Sequence, residues 1–578
     1  MKNKIRFVFI ISFLHLAASG QIYIRNVSVV DVLNQKLIPR QTVVLTGDMI
    51  SGISSANKIK IPVNANVIEG AGKYLIPGLT DAHVHFFQSG GLYTRPDVID
   101  LRKYFPYEKE ISWVHNNMEY FLRRYLQTGI TSVIDVGASY HFLQQRDSFA
   151  NKYYAPTIYM TGPLLTTWEP AVFNNLKNDE PFKLITSDSE AVRLVQEQLP
   201  FHPDFIKIWY IVNSNNAEAS AKKLEPVIKT IIEESHRHHL KVAIHATERI
   251  TAQIAVENGC DYLVHDVEDE VVTDRFIKLL KTKKVFVCPT LTVMEGYDNS
   301  LGQKNNFSYY ELTRSNPEQL GSLYDLKHLS DTATINQFKQ WINSHLEMVH
   351  SAHTDSVRKV NLKKMMDGGV TIVAGTDAGN IGTQHAVSFL KELKAMQKSG
   401  LTNWQIIQSA TINPAGIFNN QNNTGSISMG KKADMVLLDA NPVENLENLT
   451  KINLVFNKGH IINPDTLIRE TPLALVQRQL NAFNARNPDA FLEPYADSVE
   501  IYDFPGKLLG KGKRAMTKMY ADFFKTTPEL HCEIIGRILQ GNMVIDKERV
   551  SGVGDLKNEA TAIYYIENNK ISKVYFAE

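Results

Sequence analysis

Cysteine is scarce: Cys260, Cys288 and Cys532 are the only three in 578 residues, odd in number and far apart. That excludes a disulfide framework and a Cys-x-x-Cys zinc site, and predicts three small buried side chains. An excess of charge is missing too. Against 62 Lys and Arg stand 61 Asp and Glu, a formal net charge of +1, so no bulk field gathers nucleic acid or an anionic membrane. No apolar run reaches the roughly 20 residues that span a bilayer. The composition is otherwise ordinary, 43% apolar and 21% charged, which excludes collagen-like, coiled-coil and wholly disordered chains. The length allows three or four domains of roughly 150 residues, or one barrel of about 250 with smaller units around it.

The first twenty residues stand apart. Lys2, Lys4 and Arg6 precede an apolar run from Phe7 to Ala18, and Ala18-Ser19-Gly20 offers small residues to a signal peptidase. The pattern predicts a Sec-type signal peptide over 1–20, cleavage near Gly20, and a periplasmic or secreted mature chain. No cysteine follows the run to carry a lipid.

From Ile22 to Tyr74 short β-rich stretches alternate with Gly and Asn turns, and the same texture returns from Gly425 to Ile462. These flanks predict one small β-sandwich made from residues 21–75 and 421–464. Between them, over 76–420, eight apolar runs of strand length recur with helical segments between them: 79–83, 131–135, 157–160, 205–209, 242–245, 262–265, 285–288 and 371–375. Near-continuous apolar strands suit burial on both faces, so the expected fold is α/β, a (β/α)8 TIM barrel. The polar, aromatic-rich stretch at about 299–364 breaks the rhythm. It is expected to be an insertion after the seventh strand that covers the barrel mouth. Over 472–578 helical patterns at 473–495 and 513–524 lead into strands at 530–539, 542–549, 560–567 and 571–576, an α+β unit whose last two strands meet at Asn568-Asn569 in a hairpin.

Polar residues mark the ends of the barrel runs. His83 and His85, at i and i+2, send both imidazoles to one side of a strand. Lys207, His245, His265 and Asp377 are each the first charged or imidazole side chain near the end of a run, where barrel active sites sit. Each has a structural explanation by itself: a paired cation, a packed core histidine, a turn-forming aspartate before Gly379. Six together on strands one, four, five, six and eight point to a shared centre. Trp209, Tyr210, Trp168 and Glu169 fall where loops line a barrel mouth, with loop packing as an equal explanation. His385 is placed on the helix after strand eight, in a packing role.

Gly78-Leu-Thr-Asp-Ala-His-Val-His, the Ile206-Lys-Ile strand, His245, His265, Gly375-Thr-Asp-Ala-Gly and Gly425-Ser-Ile-x-x-Gly-Lys-Lys-Ala-Asp-Met-Val-Leu-Leu-Asp together resemble the amidohydrolase superfamily. The resemblance is to its imidazolonepropionase-like branch, which includes Xaa-Pro dipeptidases, and it spans about 21–464. It implies that His83, His85 and Asp377 hold one metal and that His245 and His265 hold a second. Lys207 would bridge the two as a carboxylated lysine, since an ammonium cannot coordinate a cation whereas a carbamate offers two oxygens. Imidazolonepropionases, similar elsewhere, lack this lysine and use one metal, so its presence here favours two, with zinc the default. The implied chemistry is hydrolysis of a C–N bond in an amide, cyclic amide or dipeptide. A hydroxide bridging the cations attacks, and Asp377 shuttles the proton to the departing nitrogen. Lactonase or phosphotriesterase chemistry suits the same centre, and a degenerate barrel serving binding or assembly is the contrasting class. The expected partner is a small-molecule substrate or dipeptide, without nucleic acid or a membrane span.

Ala482-Phe-Asn-Ala-Arg-Asn-Pro-Asp, Tyr495-Ala-Asp-Ser-Val and Tyr564-Tyr-Ile-Glu-Asn-Asn-Lys-Ile resemble the SnoaL-like domain of the ketosteroid-isomerase fold. That implies an accessory or assembly role, with a homo-oligomer formed through this domain. Asp503 lies near the place of that fold's base and is left outside the catalytic set.

Overall fold

The computed structural model describes residues 20–212, 214–348, 352–554 and 556–577, so residues 1–19 of the expected signal peptide lie outside the described residues. Strands from both flanks form one eight-stranded sheet. Ile22–Asp31, Lys36–Thr46, Met49–Ser55, Asn66–Glu69 and Tyr74–Pro77 join Met435–Leu438, Ile452–Asn457 and His460–Ile462, and the seam is Tyr74–Pro77 antiparallel to Met435–Leu438. Ile24, Val43, Leu45, Leu75, Leu437 and Phe456 bury their side chains in a core of its own.

The chain then enters the barrel. Its eight parallel strands are Leu79–Val84, Ile130–Asp135, Thr157–Met160, Phe205–Trp209, Lys241–His245, Tyr262–Val264, Phe286–Cys288 and Thr371–Ile372, at the eight runs expected from the sequence. All six residues of the first strand are buried, as strands covered on both faces must be. The third strand breaks at Gly162-Pro163, where proline has no N–H to donate. It resumes as Leu164–Thr166, which carries the ladder on to Trp209. The ring closes where Ala82 N donates to Ala374 O (2.9 Å) and Asp377 N donates to His83 O (2.7 Å). Gly375 permits that approach, because a Cβ there would stand 2.6 Å from both the Cys288 sulfur and the His83 nitrogen.

Helices Val293–Leu301, Tyr309–Arg314, Pro317–Ser322 and Thr332–Met348 fill the connection between strands seven and eight. Val293, Tyr297, Leu301 and Ile342 pack with Leu92, Ile99 and Ile381 over the mouth. The next helix, Ala352–Asp367, places Leu362 and Met365 in the barrel core, so the insertion gives way to the barrel's outer layer before residue 364.

The C-terminal unit places helices Pro472–Asn484, Pro488–Leu492 and Lys513–Thr526 against a six-stranded sheet. The long helix expected through residue 495 is shorter: Arg486 adopts φ 53°, Pro488 restarts the chain, and Tyr495 opens the strand Tyr495–Asp503. The Asn568-Asn569 hairpin forms as expected, with φ of 50° and 61° at its two turn residues. Leu312, Leu320 and Tyr324 of the insertion share a core with Leu475, Val476 and Phe491, and Asn481 Nδ2 donates to Pro317 O (2.6 Å). The C-terminal unit thus buttresses the segment that covers the barrel mouth. Among the described residues no helix is long and apolar enough to cross a membrane.

Candidate metal centre

His83 and His85 leave the first strand on one side, as the two-residue period requires, and Asp377 comes from the turn after strand eight. The Nε2 atoms of the two histidines are 3.3 Å apart, and each lies 3.2 Å from Asp377 Oδ1. Asp377 Oδ1 is buried with no conventional hydrogen-bond partner among the described residues. A tetrahedral ion with bonds of about 2.0–2.1 Å keeps its ligand atoms about 3.3 Å apart, so this triangle has the dimensions of three corners of such a site. The donor set fits a metal of the zinc class.

His265 joins from strand six. Its ligating atom lies within 4.8 Å of those of His83 and Asp377, and its ring centroid is 4.4 Å from that of His245 on strand five. Lys207 is buried on the wall of the same cavity, which His85, His245, His265 and Asp377 also line. All six residues singled out in the sequence therefore meet at the carboxyl end of the barrel.

Electrostatics suit ligation. Burial lowers the His83 imidazole to about 4 and His245 to about 3, and holds His265 well below its ordinary value, so all three offer neutral lone pairs at pH 7. Burial lowers the Lys207 amine to about 7. It also works to raise the Asp377 carboxyl, but the neighbouring His83 and His85 hold it well below the usual carboxylate range.

A second tier, absent from the sequence reading, aims these groups. His85 Nδ1 donates to Gly137 O (3.0 Å), and Asp135 holds that turn by accepting from Gly137 N (3.0 Å) and Phe86 N (2.9 Å). His265 Nδ1 contacts Thr290 Oγ1 (2.7 Å). Asp81 accepts from Thr376 N (3.0 Å) and Oγ1 (2.7 Å), fixing the turn that carries Asp377. With one ring nitrogen so engaged, the other is left to point inward. Asp377, His265 and Thr290 all have left-handed backbone, with φ of 60°, 77° and 47°, and such strain concentrates at functional sites.

The remaining candidates separate. Trp209 lines the cavity, and Trp168 packs against it from outside at a tilt of 56°, ring centroids 5.7 Å apart. Tyr210 is buried in packing and donates to Ala221 O (2.6 Å); Glu169 is not among the lining residues. His385 sits in the turn before the helix Ser388–Lys398, not on it, and ties Tyr125 to the carbonyl of Gln88 at 2.8 Å each. Asp503 ends a strand of the C-terminal sheet. That domain's interior is filled by linked Tyr495, Gln479, Tyr564 and Glu548 side chains.

Barrel, flanking sheet and rim of imidazoles define a class of α/β-barrel protein with a histidine-rich mouth. The chain belongs to the amidohydrolase family, whose model matches residues 74–462, and a SnoaL-like domain model matches residues 476–574. An ochratoxinase of Aspergillus niger is 26% identical over 237 residues, 41% of this chain and 39% of that one. An imidazolonepropionase of Brevibacillus brevis is 32% identical over 107 residues, 18% and 25% of the two chains. The match to the ochratoxinase therefore spans about two fifths of that protein's length. Among solved structures, a Xaa-Pro dipeptidase with bound methionine in its active site has a TM-score of 0.58 at 20% identity, covering 77% of this chain and 100% of that one. Molinate hydrolase has a TM-score of 0.59 at 18% identity, covering 78% and 97%. At these identities the structural likeness is one of fold.

Proposed function

We propose that the chain is an exported, metal-dependent hydrolase of C–N bonds in small apolar amides. In this reading His83, His85 and Asp377 hold one cation, His245 and His265 a second, and carboxylated Lys207 lies between them. The same proposal divides the chain into a barrel over 76–420, a sandwich from 21–75 and 421–464, and an accessory domain over 472–578. The observation that carries it is the triangle of His83, His85 and Asp377 atoms with edges of 3.2–3.3 Å.

Bound there, the cations supply a water of lowered pKa and polarise the scissile carbonyl. Asp377, ionised beside its two imidazoles, accepts the proton of the attacking water. It then returns that proton to the departing nitrogen, which cannot leave as an anion near neutral pH. Asp135 and Gly137 keep the His85 ring aimed, and Asp81 with Thr376 keeps Asp377 in place. The cavity has a volume of about 350 Å³, and Phe87, Leu164, Phe182, Trp209, Met294 and Tyr297 give it an apolar wall. Such a wall excludes water and favours an apolar acyl or amine group over a small polar ring.

Protein purified without chelator is expected to retain about two tightly held zinc equivalents. Removing them should abolish turnover on a panel of N-acyl amino acids, dipeptides ending in proline and cyclic amides, and zinc should restore it. A chain that carries no transition metal, or that hydrolyses the panel equally well without it, overturns the reading.

Export is supported by the basic, apolar and small-residue pattern of residues 1–20. Self-association is supported by Ile535, Ile538 and Leu539, exposed on the edge strand His531–Gln540. A mature N-terminus near Gln21 by sequencing, and more than one copy per particle by light scattering, are the expected results. An uncut N-terminus or a monomer removes the corresponding part.

A further inference from the structure

A second cavity, of about 330 Å³, lies where the barrel's outer layer, the insertion and the C-terminal unit meet. Its walls carry four carboxyl groups: Glu110 from the helix Tyr107–Gln127, Glu318 and Asp325 from the insertion, and Glu533 from the strand His531–Gln540. Among the described residues neither lysine nor arginine lines it. Guanidinium groups nearby are committed elsewhere: Arg537 to Asp546, Arg549 to Glu559 as well as Glu533, and Arg486 to the carbonyls of Asn484 and Leu530. Burial lowers His531, on the same wall and 3.1 Å from His328, to about 3, so it adds no positive charge at pH 7.

Glu110 is short of donors. Only 2% of the residue is exposed, and its Oε1 competes for the single hydroxyl hydrogen of Ser89 with Gln319 Oε1, 2.8 Å from Ser89 Oγ. Its Oε2 has no partner among the described residues and faces the cavity. Turning the Gln319 amide satisfies Ser89 but leaves Oε2 as bare as before. Burial raises this carboxyl to about 7 against the pull of the Ser89 hydrogen bond. A cation against the open oxygen is what stabilises such a group as an anion.

The other three carboxyls each spend one oxygen on a neighbour. Trp113 Nε1 donates to Glu318 (2.9 Å), Tyr93 Oη donates to Asp325 (2.7 Å) and Arg549 Nη1 donates to Glu533 (3.1 Å). The second oxygen of each makes no hydrogen bond among the described residues. No three of these acidic and imidazole groups bring ligand atoms within 4.8 Å of one another, so their spacing does not suit one metal ion. The space between them is walled by Tyr93, Phe105, Trp113, Tyr324, Leu480 and Ile534. Carboxylates among aromatic rings are the surroundings that favour an ammonium or guanidinium group.

We propose that this cavity binds an organic cation, an amine or guanidine on an apolar body, with buried Glu110 at its floor and exposed Glu318 at its rim. Such a ligand ties three parts of the chain together. Ser89, which holds Glu110, also accepts from Gly91 N (3.1 Å), and its own N–H donates to Thr94 Oγ1 (2.8 Å). Gly91 lies so close to the insertion that a Cβ there would meet Gln319 Oε1 at 2.1 Å. Gln88 and Arg95, on either side of this loop, both line the mouth cavity. Occupancy firms the cover of the mouth without touching the reacting atoms.

Isothermal titration of the full chain with phenethylamine, agmatine and spermidine tests the site, with 2-phenylethanol as a neutral control. At least one amine is expected to bind with a dissociation constant below about 1 mM and to raise the melting temperature, while the alcohol does neither. Glu110→Gln keeps the shape of the side chain and its place beside Ser89, and should weaken the amine about tenfold. Glu318→Gln, a change on an exposed side chain, should weaken it about threefold. Asp377→Asn should leave the affinity unchanged, which separates this cavity from the mouth. Unchanged far-UV circular dichroism of the variants reports intact folds. Failure of all three amines to bind, full-strength binding in both glutamine variants, or loss of binding in Asp377→Asn overturns the proposal.

Discussion

Asp377→Asn is expected to lower kcat by about a thousandfold, within the range that a positioned acid or base supplies, while the protein stays folded. The substitution keeps the shape of the side chain and leaves an oxygen that can still face His83 and His85. It removes the negative charge and the ability to take and return a proton. Burial alone disfavours that charge, and His83 and His85 overcome it, so the wild-type group is a base throughout the neutral range. An amide nitrogen must be protonated before it departs, and among the six gathered side chains Asp377 is the ionised carboxylate that can carry a proton to it. The paired measurement is kcat together with zinc content by emission spectrometry. Metal retained with turnover lost assigns the effect to proton transfer, whereas turnover within tenfold of wild type removes Asp377 from that role. Asp81→Asn, which disturbs the Thr376 turn without touching substrate, should produce a smaller loss.

The barrel was legible because strands buried on both faces read as apolar runs, and much of its mouth was legible because charged or imidazole side chains stand at the ends of those runs. That position singled out Lys207, His245, His265 and Asp377, and the i, i+2 spacing singled out His83 and His85, across almost three hundred positions. Asp81 and Asp135 lie on the same runs, Asp135 at the very end of its own, and were passed over because what sets them apart is the backbone groups they hold, Thr376 N for Asp81 and Phe86 N with Gly137 N for Asp135, which exist only in the folded chain. The break of strand three at Gly162-Pro163 was hidden because both halves are short and apolar. Past Asn484 a helical apolar period continues in the sequence, but left-handed Arg486 and the following Pro488 end the helix, so local turn chemistry overrides the pattern. His385 was misplaced by the same continuation in the other direction, since its helix begins only at Ser388.

Lys207→Met is expected to cost more than any single histidine change, because it removes the ligand assigned to both cations at once. Zinc content and kcat/KM should fall together, the latter by roughly a thousandfold or more, as expected when a residue positions the groups that act as a unit. The structure supplies a reason why this lysine can become a carbamate. Only the free amine attacks the carbon of CO2, forming the N–C bond as a C–O pair moves to oxygen and a proton is released. An ordinary lysine at pH 7 is free base in roughly one molecule in 2,500. Burial lowers Lys207 to about 7, so about half of the uncarboxylated side chain is free amine at that pH. The sign follows: in the metal-free protein the amine that can attack CO2 is the major form above pH 7 and falls about tenfold per unit once the pH drops well below it, as the ammonium form takes over. A 13C carbonyl signal from labelled bicarbonate should therefore appear in wild type on zinc addition at pH 8, weaken sharply at pH 5.5, and be absent from Lys207→Met. Lys207→Ala separates the bridge from the fold. It leaves a space that methionine fills, and a small carboxylate such as acetate has the two oxygens the carbamate would have provided. Partial return of zinc content and turnover with acetate in Lys207→Ala, but not in Lys207→Met, assigns the loss to missing oxygen ligands; no return in either, with the labelled signal missing from wild type, overturns the bridging role.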